Sequence, residues 1–303
     1  ISSEAPCRKR GKVMTKERNI TQQTITLPGG TKIAYYAGGP EDGEIIVLLH
    51  GGGTDHAMLS WQDTFPALVE ASYRVIAPDH PGYGNSPPAD YPATVDNMVQ
   101  YVGQFIDALD LQQVTLIGIS MGGAMSIGTT LAHPEKVKKL VLIGTYGIQA
   151  KAPFHRLSYL FVRLPWMNNL MWATMRAYRP AVRYTVKNIV RNPESQTQEL
   201  MDDVFQTMKN QTSQRVFAEF QKDEVRWNGM KTNYVDRLHE IKQPVLVVHG
   251  SHDVGVPLEA AKQAVTHLPN VRFEIFDEAG HWTQRDYPQK FNALLLEFLT
   301  AAS

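Results

Sequence analysis

The sequence has a single cysteine and no excess of charge of either sign. Cys7 is the only cysteine among 303 residues, which excludes an intramolecular disulfide and a metal site built from several cysteines. Thirty basic residues are balanced by thirty acidic residues, so the formal net charge is zero. This balance argues against nucleic acid or an acidic membrane as the main partner, unless positive charge is concentrated locally.

Several signatures of other protein classes are also missing. No apolar run reaches the ~20 residues that a membrane span needs, so stable membrane insertion is not expected. The chain does not begin with a signal-peptide pattern, and we expect a cytoplasmic protein. The histidines and acidic residues show no metal-ligand spacing, and neither a GxGxxG nor a Walker pattern occurs. We therefore predict no metal and no cofactor.

The first nineteen residues differ from the rest of the chain. They contain six basic and two acidic residues and almost no apolar side chain. Such a segment cannot bury a core, so residues 1–19 are predicted to be a flexible basic leader. Within this segment, Met14 is a candidate for the natural start of the protein.

The remainder alternates between apolar strand patterns and helical patterns. Strands are predicted at residues 22–27, 31–37, 44–49, 73–78, 114–118, 137–143, 244–249 and 271–276. Helices are predicted at residues 59–71, 94–109, 121–132, 257–267 and 288–299. This order is typical of an α/β fold with a doubly wound, mostly parallel sheet. Residues 147–238 contain helical patterns only, and we predict an inserted helical cap between two core segments, 20–146 and 239–303.

The string GISMGG at residues 118–123 follows a predicted strand and begins a predicted helix. It matches the G-x-S-x-G pattern of a nucleophile elbow, in which small neighbours let the backbone fold back sharply around the serine. Ser120 is therefore the predicted nucleophile. The helix that begins behind it offers the N–H group of Met121 to a developing oxyanion.

A serine nucleophile needs a base and an acid that orients the base. Asp253 follows the strand 244–249 and His281 follows the last strand, so both should lie at the same sheet edge as Ser120. Asp277 competes for the acid role, but it precedes His281 closely and lacks the expected place in the chain. We predict the triad Ser120, Asp253 and His281.

The string HGGG at residues 50–53 follows another predicted strand. Glycines allow backbone N–H groups to approach a substrate oxygen closely. Gly52 is the predicted first donor of an oxyanion hole, with Gly53 as the alternative and Met121 as the second donor. His50 is expected to brace this loop.

Together these residues resemble the α/β-hydrolase superfamily over roughly residues 22–300. The most similar groups are the meta-cleavage-product C–C hydrolases and capped carboxylesterases akin to the pimeloyl-carrier-protein methyl ester esterase. HGGG, SMGG at 120–123 and GHWTQRDYPQKFNALLLEFL at 280–299 resemble the C–C hydrolases, in which a tryptophan follows the catalytic histidine as Trp282 does here. The resemblance implies that Gly53, Ile119 and Trp282 contact the substrate.

Two positions depart from the C–C hydrolase pattern. Ile119 stands where those enzymes carry an asparagine, and Val204 stands at the aligned position of a cap arginine. In those enzymes the asparagine and the arginine contact a ketonised diene-acid. Because this chain lacks both, we expect a serine esterase that cleaves an apolar acyl or aryl ester through an acyl-enzyme. C–C hydrolysis of a meta-cleavage dienoate is the alternative. A non-catalytic ligand-binding protein is a second alternative, and a homodimer is left open.

The cap segment also has an unusual charge pattern. Residues 147–191 contain eight basic and no acidic residues, together with seven aromatic ones. One interpretation is a solvated basic face above an apolar stripe that covers the sheet. Two others are a mouth that attracts anionic or apolar substrates and a surface that docks to an acidic carrier protein or a membrane.

Overall fold

The computed structural model describes residues 20–301, so the predicted leader, together with Cys7 and Met14, lies outside the described residues. Eight strands form one sheet in the order β1-β2-β4-β3-β5-β6-β7-β8. The strands are β1 Thr21–Thr26, β2 Lys32–Gly38, β3 Ile45–Leu49, β4 Arg74–Pro78, β5 Val114–Ile119, β6 Val137–Ile143, β7 Val245–Gly250 and β8 Val271–Phe276. β1 and β2 pair antiparallel, and β2 pairs antiparallel with β4, whereas β3 to β8 are all parallel.

Helices cover both faces of this sheet. They are α1 Ala57–Trp61, α2 Thr64–Glu70, α3 Val95–Ala108, α4 Met121–Ala132, α5 His155–Arg163, α6 Pro165–Ala177, α7 Arg179–Ile189, α8 Gln198–Thr207, α9 Gln211–Glu224, α10 Leu258–Val265, α11 Thr283–Asp286 and α12 Pro288–Thr300. Short 3₁₀ helices occupy Pro134–Lys136 and Val235–Glu240. Within residues 20–301, no helix combines the length and apolar character that a bilayer span requires.

The core is divided between the two faces of the sheet. Along β3, Val47 and Leu49 belong to one buried cluster, and Ile46 and Leu48 belong to the other. The first cluster includes side chains of α3, α4 and α10, and the second includes side chains of α1, α2 and α12. This alternation explains why the central strands are apolar throughout, and it confirms the predicted doubly wound α/β fold.

All eight predicted strands are present, but the helix predicted at 59–71 is wrong as a single element. The structure divides this stretch into α1 and α2. Pro66 has no N–H group to donate to the carbonyl of Gln62, so the helix loses a hydrogen bond where α1 ends and α2 begins, although Gln62 and Asp63 keep helical backbone angles.

The cap segment, residues 147–238, contains α5 to α9 and one isolated bridge between Val225 and Met230. That this segment forms a separate unit stays a prediction.

Candidate active site

Ser120 occupies a sharp turn between β5 and α4. Its backbone has φ 52° and ψ −118°, in the left-handed region that a serine rarely adopts. A Cβ atom at Gly118 would lie 2.3 Å from the carbonyl oxygen of Gly122, and one at Gly122 would lie 2.2 Å from that of Leu49. Only glycine fits at either position, because backbone atoms close around the turn. The two glycines of the G-x-S-x-G motif are therefore required by the close packing that holds Ser120 in its strained conformation.

Asp253 and His281 form a hydrogen-bonded pair. The Nδ1 atom of His281 lies 2.9 Å from Oδ1 and 2.8 Å from Oδ2 of Asp253. The backbone N–H groups of Gly255 and Val256 donate to Oδ1 at 2.7 and 2.9 Å, so the carboxylate is held from two directions. Because an ionised carboxylate only accepts, Nδ1 carries the proton, and the Nε2 atom of His281 is left to act as a base.

The strands bring this pair next to the serine turn. The N–H group of Ser120 donates to the carbonyl oxygen of Ile143, the last residue of β6, at 3.0 Å. A Cβ atom at the next residue, Gly144, would lie 2.8 Å from Oδ2 of Asp253 and 3.1 Å from Nδ1 of His281. The Asp253–His281 pair therefore packs against Gly144, the residue after the one to which Ser120 is bonded, and the three predicted triad residues follow the carboxyl ends of β5, β7 and β8. Their catalytic roles stay predictions.

The electrostatics of the pair favour its charged form. Burial by itself would raise the pKa of Asp253, but the adjacent His281 holds that pKa below its usual value. Burial would likewise lower the pKa of His281, yet the Asp253 carboxylate raises it above its usual value. The imidazolium that forms when His281 accepts a proton is thus stabilised by its partner. The buried His249 contributes little positive charge, because burial lowers its pKa.

The glycine loop after β3 lies against the serine turn. A Cβ atom at Gly51 would lie 3.5 Å from Cβ of Ser120, and one at Gly52 would lie 3.4 Å from Sδ of Met121. The N–H group of Gly51 already donates to Asp55 Oδ2 at 2.8 Å, so Gly51 is not a free donor. Met121 is the first residue of α4, where a backbone N–H has no partner inside the helix. Gly52 thus lies against the side chain of Met121, and that their N–H groups form an oxyanion hole stays a prediction.

Buried polar side chains brace this loop from behind. Asp55 accepts hydrogen bonds from the N–H groups of Gly51 and His56 and from the hydroxyl of Ser60. The ring of His50 stacks on that of His80 with 3.8 Å between the centroids, and its Nδ1 donates to the carbonyl oxygen of Gly51. Burial lowers the pKa of both rings, for His80 to about 4, which favours the neutral form. These contacts fix the loop without adding positive charge.

Helix α9 of the cap segment covers the glycine loop. A Cβ atom at Gly52 would lie 2.5 Å from Cε2 of Phe217, and one at Gly53 would lie 3.5 Å from Cε1 of the same ring. Phe217 stacks on Phe220, whose ring meets Tyr146 edge-on. Phe217 is not among the predicted site residues, because nothing near residue 217 in the sequence indicates which loop its ring will contact.

The residues expected at the substrate lie around this centre. Ile119 is fully buried and shares an apolar cluster with Trp282 and Val204. The N–H group of Trp282 donates to the carbonyl oxygen of Ile189 at 2.9 Å, which joins the His281 loop to the end of α7. Substrate contact by Gly53, Ile119 and Trp282 stays a prediction.

Asp286 links the cap segment to the His281 loop, and sequence analysis misses it as well. Its buried carboxylate accepts hydrogen bonds from the N–H groups of Arg191, Asn192 and Gly280.

Within residues 20–301, no group of three or more His, Cys, Asp or Glu side chains is arranged to hold a metal ion.

The chain resembles known hydrolases over most of its length. A sequence profile of the alpha/beta hydrolase fold matches residues 44–288. A 2-hydroxy-6-oxononadienedioate/2-hydroxy-6-oxononatrienedioate hydrolase from Paraburkholderia phymatum is 31% identical over 295 residues, which span 93% of this chain and 96% of that protein. The protein of the same name from Escherichia coli is 32% identical over 267 residues, 84% of this chain and 87% of its own. The solved structure of a meta-cleavage product hydrolase (CumD) from Pseudomonas fluorescens IP01 is 25% identical and superimposes with a TM-score of 0.77. The match covers 91% of this chain and 97% of that one.

These similarities contradict the prediction that the chain cleaves a carboxylic ester. The relatives are named for hydrolysis of 2-hydroxy-6-oxo acids, and the structural neighbour is named for meta-cleavage products. The argument from Ile119 and Val204 fails for a physical reason. The two side chains that they replace are expected to contact the substrate, whereas the predicted nucleophile, base and oxyanion donors do not include them. The ester specificity predicted for the substrate is likewise not supported.

Proposed function

The chain belongs to the α/β-hydrolase family and is a hydrolase, and we propose that the bond it cleaves is a carbon–carbon bond of a 2-hydroxy-6-oxo dienoate. One observation carries the proposal beyond the names of the relatives. The Asp253–His281 pair leaves Nε2 as a base near a serine held in a strained turn, and Gly52, whose neighbour Gly51 already donates to Asp55, lies against Met121. This arrangement suits attack on a ketone carbon as well as on an ester.

The reaction first needs an electron sink. In a 2-hydroxy-6-oxo dienoate, the two double bonds conjugate the C2 hydroxyl with the C6 ketone. Moving the hydroxyl proton to C5 gives a C2 ketone and makes C5 a saturated carbon next to C6. The bond between C5 and C6 can then break, because the electron pair left on C5 is delocalised onto the C2 oxygen. His281 is the group we assign to this proton transfer.

Bond cleavage then follows the order of an acyl transfer. Ser120 Oγ adds to C6 as its proton passes to Nε2 of His281, and the N–H groups of Gly52 and Met121 bind the oxyanion. Collapse of this intermediate breaks the C5–C6 bond, and the dienolate oxygen takes the proton from His281. Water, deprotonated by His281, finally hydrolyses the ester on Ser120 and releases a carboxylic acid. The products are one carboxylic acid and one 2-hydroxy dienoate.

The charge of the cap segment agrees with an anionic substrate. The relatives are named for dioates, which carry two carboxylates. Residues 147–191 of the cap segment have eight basic and no acidic residues, so this part of the cap segment attracts anions. Val204 is buried and provides no cation, so the carboxylate must be bound by a different residue from the one in the C–C hydrolase pattern.

The test is turnover of a 2-hydroxy-6-oxo dienoate by the purified protein. Loss of the conjugated chromophore should be accompanied by equal amounts of a carboxylic acid and a 2-hydroxy dienoate. Ser120→Ala should abolish this reaction, and Ser126→Ala, a serine of the same helix that bonds to Gly122, should not. An unchanged dienoate would refute the proposal, and retained binding without turnover would favour the non-catalytic alternative.

A further inference from the structure

The outer surface of the cap segment is unusually apolar. Helix α5 has no buried residue at all, although it contains several large apolar side chains. Leu157 and Leu160 are 68% and 49% exposed, and their spacing of three places them on one side of the helix, while Phe154, the residue before α5, is 84% exposed. Three further exposed apolar residues follow at the start of α6 and just before it. We call these six residues the apolar cap face: Phe154, Leu157, Leu160, Leu164, Trp166 and Leu170.

The helices that carry this face also carry positive charge. Of the eight basic residues between 147 and 191, only Arg179 takes part in an ion pair among the residues that the structure describes, with Asp202. Arg156 and Arg163 are on α5 itself, where their guanidinium groups lie over the rings of Trp227 and Tyr159. The apolar side chains and the cations are therefore parts of one surface.

We propose that the apolar cap face docks on a membrane surface that carries anionic lipids. A basic helix that exposes large apolar side chains is the form in which peripheral proteins lie in the lipid interface. Phe154, Leu157 and Trp166 would enter the boundary between headgroups and acyl chains, and the surrounding cations would attract the lipid charge. This proposal does not depend on the proposed function.

Two other occupants fit the surface less well. A second copy of this chain would bring the unpaired Arg156 and Arg163 of one α5 against those of the other, and like charges repel. An acidic protein would neutralise the charges, but charge alone gives it no reason to cover six exposed apolar side chains. An anionic lipid surface satisfies both the charge and the apolar area.

Docking here would orient the active site toward the membrane. Helix α5 packs against α9, and α9 carries Phe217 over Gly52. The lipid surface would therefore lie on the same side of the protein as the cap segment, one helix layer from the glycine loop.

The test is flotation of the full chain with lipid vesicles in the absence of substrate. The protein should float with vesicles of phosphatidylcholine and phosphatidylglycerol in equal parts. It should bind pure phosphatidylcholine at least about tenfold less, and high salt should weaken the binding to anionic vesicles. Leu157→Glu combined with Leu160→Glu should reduce that binding at least about tenfold, since burial of one leucine accounts for about that factor.

The matched control places the same charge change elsewhere. Thr24→Glu combined with Thr26→Glu alters exposed positions of the edge strand β1 and should leave vesicle binding unchanged. Equal urea midpoints would show that both double variants fold. The proposal is overturned if the wild type does not float, if both double variants lose binding equally, or if the protein binds polyglutamate but not vesicles. A dimer that dissociates in the leucine variant, without any flotation, would also overturn it. Because no turnover is measured, these outcomes are separate from failure of the proposed function.

Discussion

Replacing Asp253 with asparagine should preserve the fold while reversing the hydrogen bond that orients His281. The N–H groups of Gly255 and Val256 donate to Oδ1 at 2.7 and 2.9 Å, so the amide oxygen of asparagine should remain on these two donors. The amide NH₂ group would then replace Oδ2, which lies 2.8 Å from Nδ1 of His281. Because an amide NH₂ only donates, its contact with Nδ1 requires Nδ1 to accept and the ring proton to move to Nε2, in competition with the amide oxygen, which would lie 2.9 Å from Nδ1.

The expected loss is large because Nε2 is the atom that must accept the proton of Ser120. An asparagine that imposes the wrong tautomer on a catalytic histidine lowers kcat by about 10⁴ in a serine protease, which corresponds to about 5.4 kcal/mol. We expect a loss of this order in kcat for a 2-hydroxy-6-oxo dienoate, measured at pH 7 by the decay of its chromophore. Urea unfolding should show that the variant is folded.

Asp277→Asn is the matched control. It makes the same chemical change at an exposed acid close to His281 in sequence, and it should leave kcat nearly unchanged. The reasoning is refuted if Asp253→Asn keeps more than about a tenth of the wild-type kcat, or if Asp277→Asn loses as much as Asp253→Asn does.

Three further predictions concern the base, the glycine loop and the link to the cap segment. The value of kcat/KM should fall as the pH is lowered through the pKa of His281, because the protonated ring cannot accept a proton. Although burial alone would lower this pKa, the Asp253 carboxylate raises it, so the midpoint should lie above 6.5 in a pH–rate profile. Gly52→Ala would place a Cβ atom 2.5 Å from the ring of Phe217, so the loop or the ring must move by about 1 Å to reach normal contact. Because this displaces the predicted oxyanion donor, kcat should fall about 10²–10³-fold in a steady-state assay. Asp286→Ala leaves three backbone N–H groups without their acceptor, and the free energy of unfolding measured in urea should fall by about 3 kcal/mol.

The sheet and the predicted triad were accessible from sequence because both depend on local patterns. Ser120, Asp253 and His281 each follow an apolar strand, and the carboxyl ends of parallel strands meet at one edge of a sheet. Glycines around Ser120 mark the turn, because the structure has no room there for a Cβ atom.

The parts that could not be predicted depend on contacts between distant segments. Phe217 covers Gly52 across 165 positions of the chain, and Asp286 bonds to residues 191 and 192. The break between α1 and α2 could have been predicted from Pro66, since a proline removes one helix hydrogen bond. The bond that is cleaved was predicted wrongly, because an ester and a ketone can be attacked by the same nucleophile, base and oxyanion donors.

The most direct test of the account compares two substrates that share the same acyl fragment. One is a 2-hydroxy-6-oxo dienoate, and the other is the aryl ester of the carboxylic acid that the dienoate would release. Both would give the same ester on Ser120, so the ratio of their kcat/KM values depends on how the leaving fragment is bound and expelled. We predict a higher kcat/KM for the dienoate, with release of the 2-hydroxy dienoate. Hydrolysis of the ester with no cleavage of the dienoate would contradict the proposed carbon–carbon specificity.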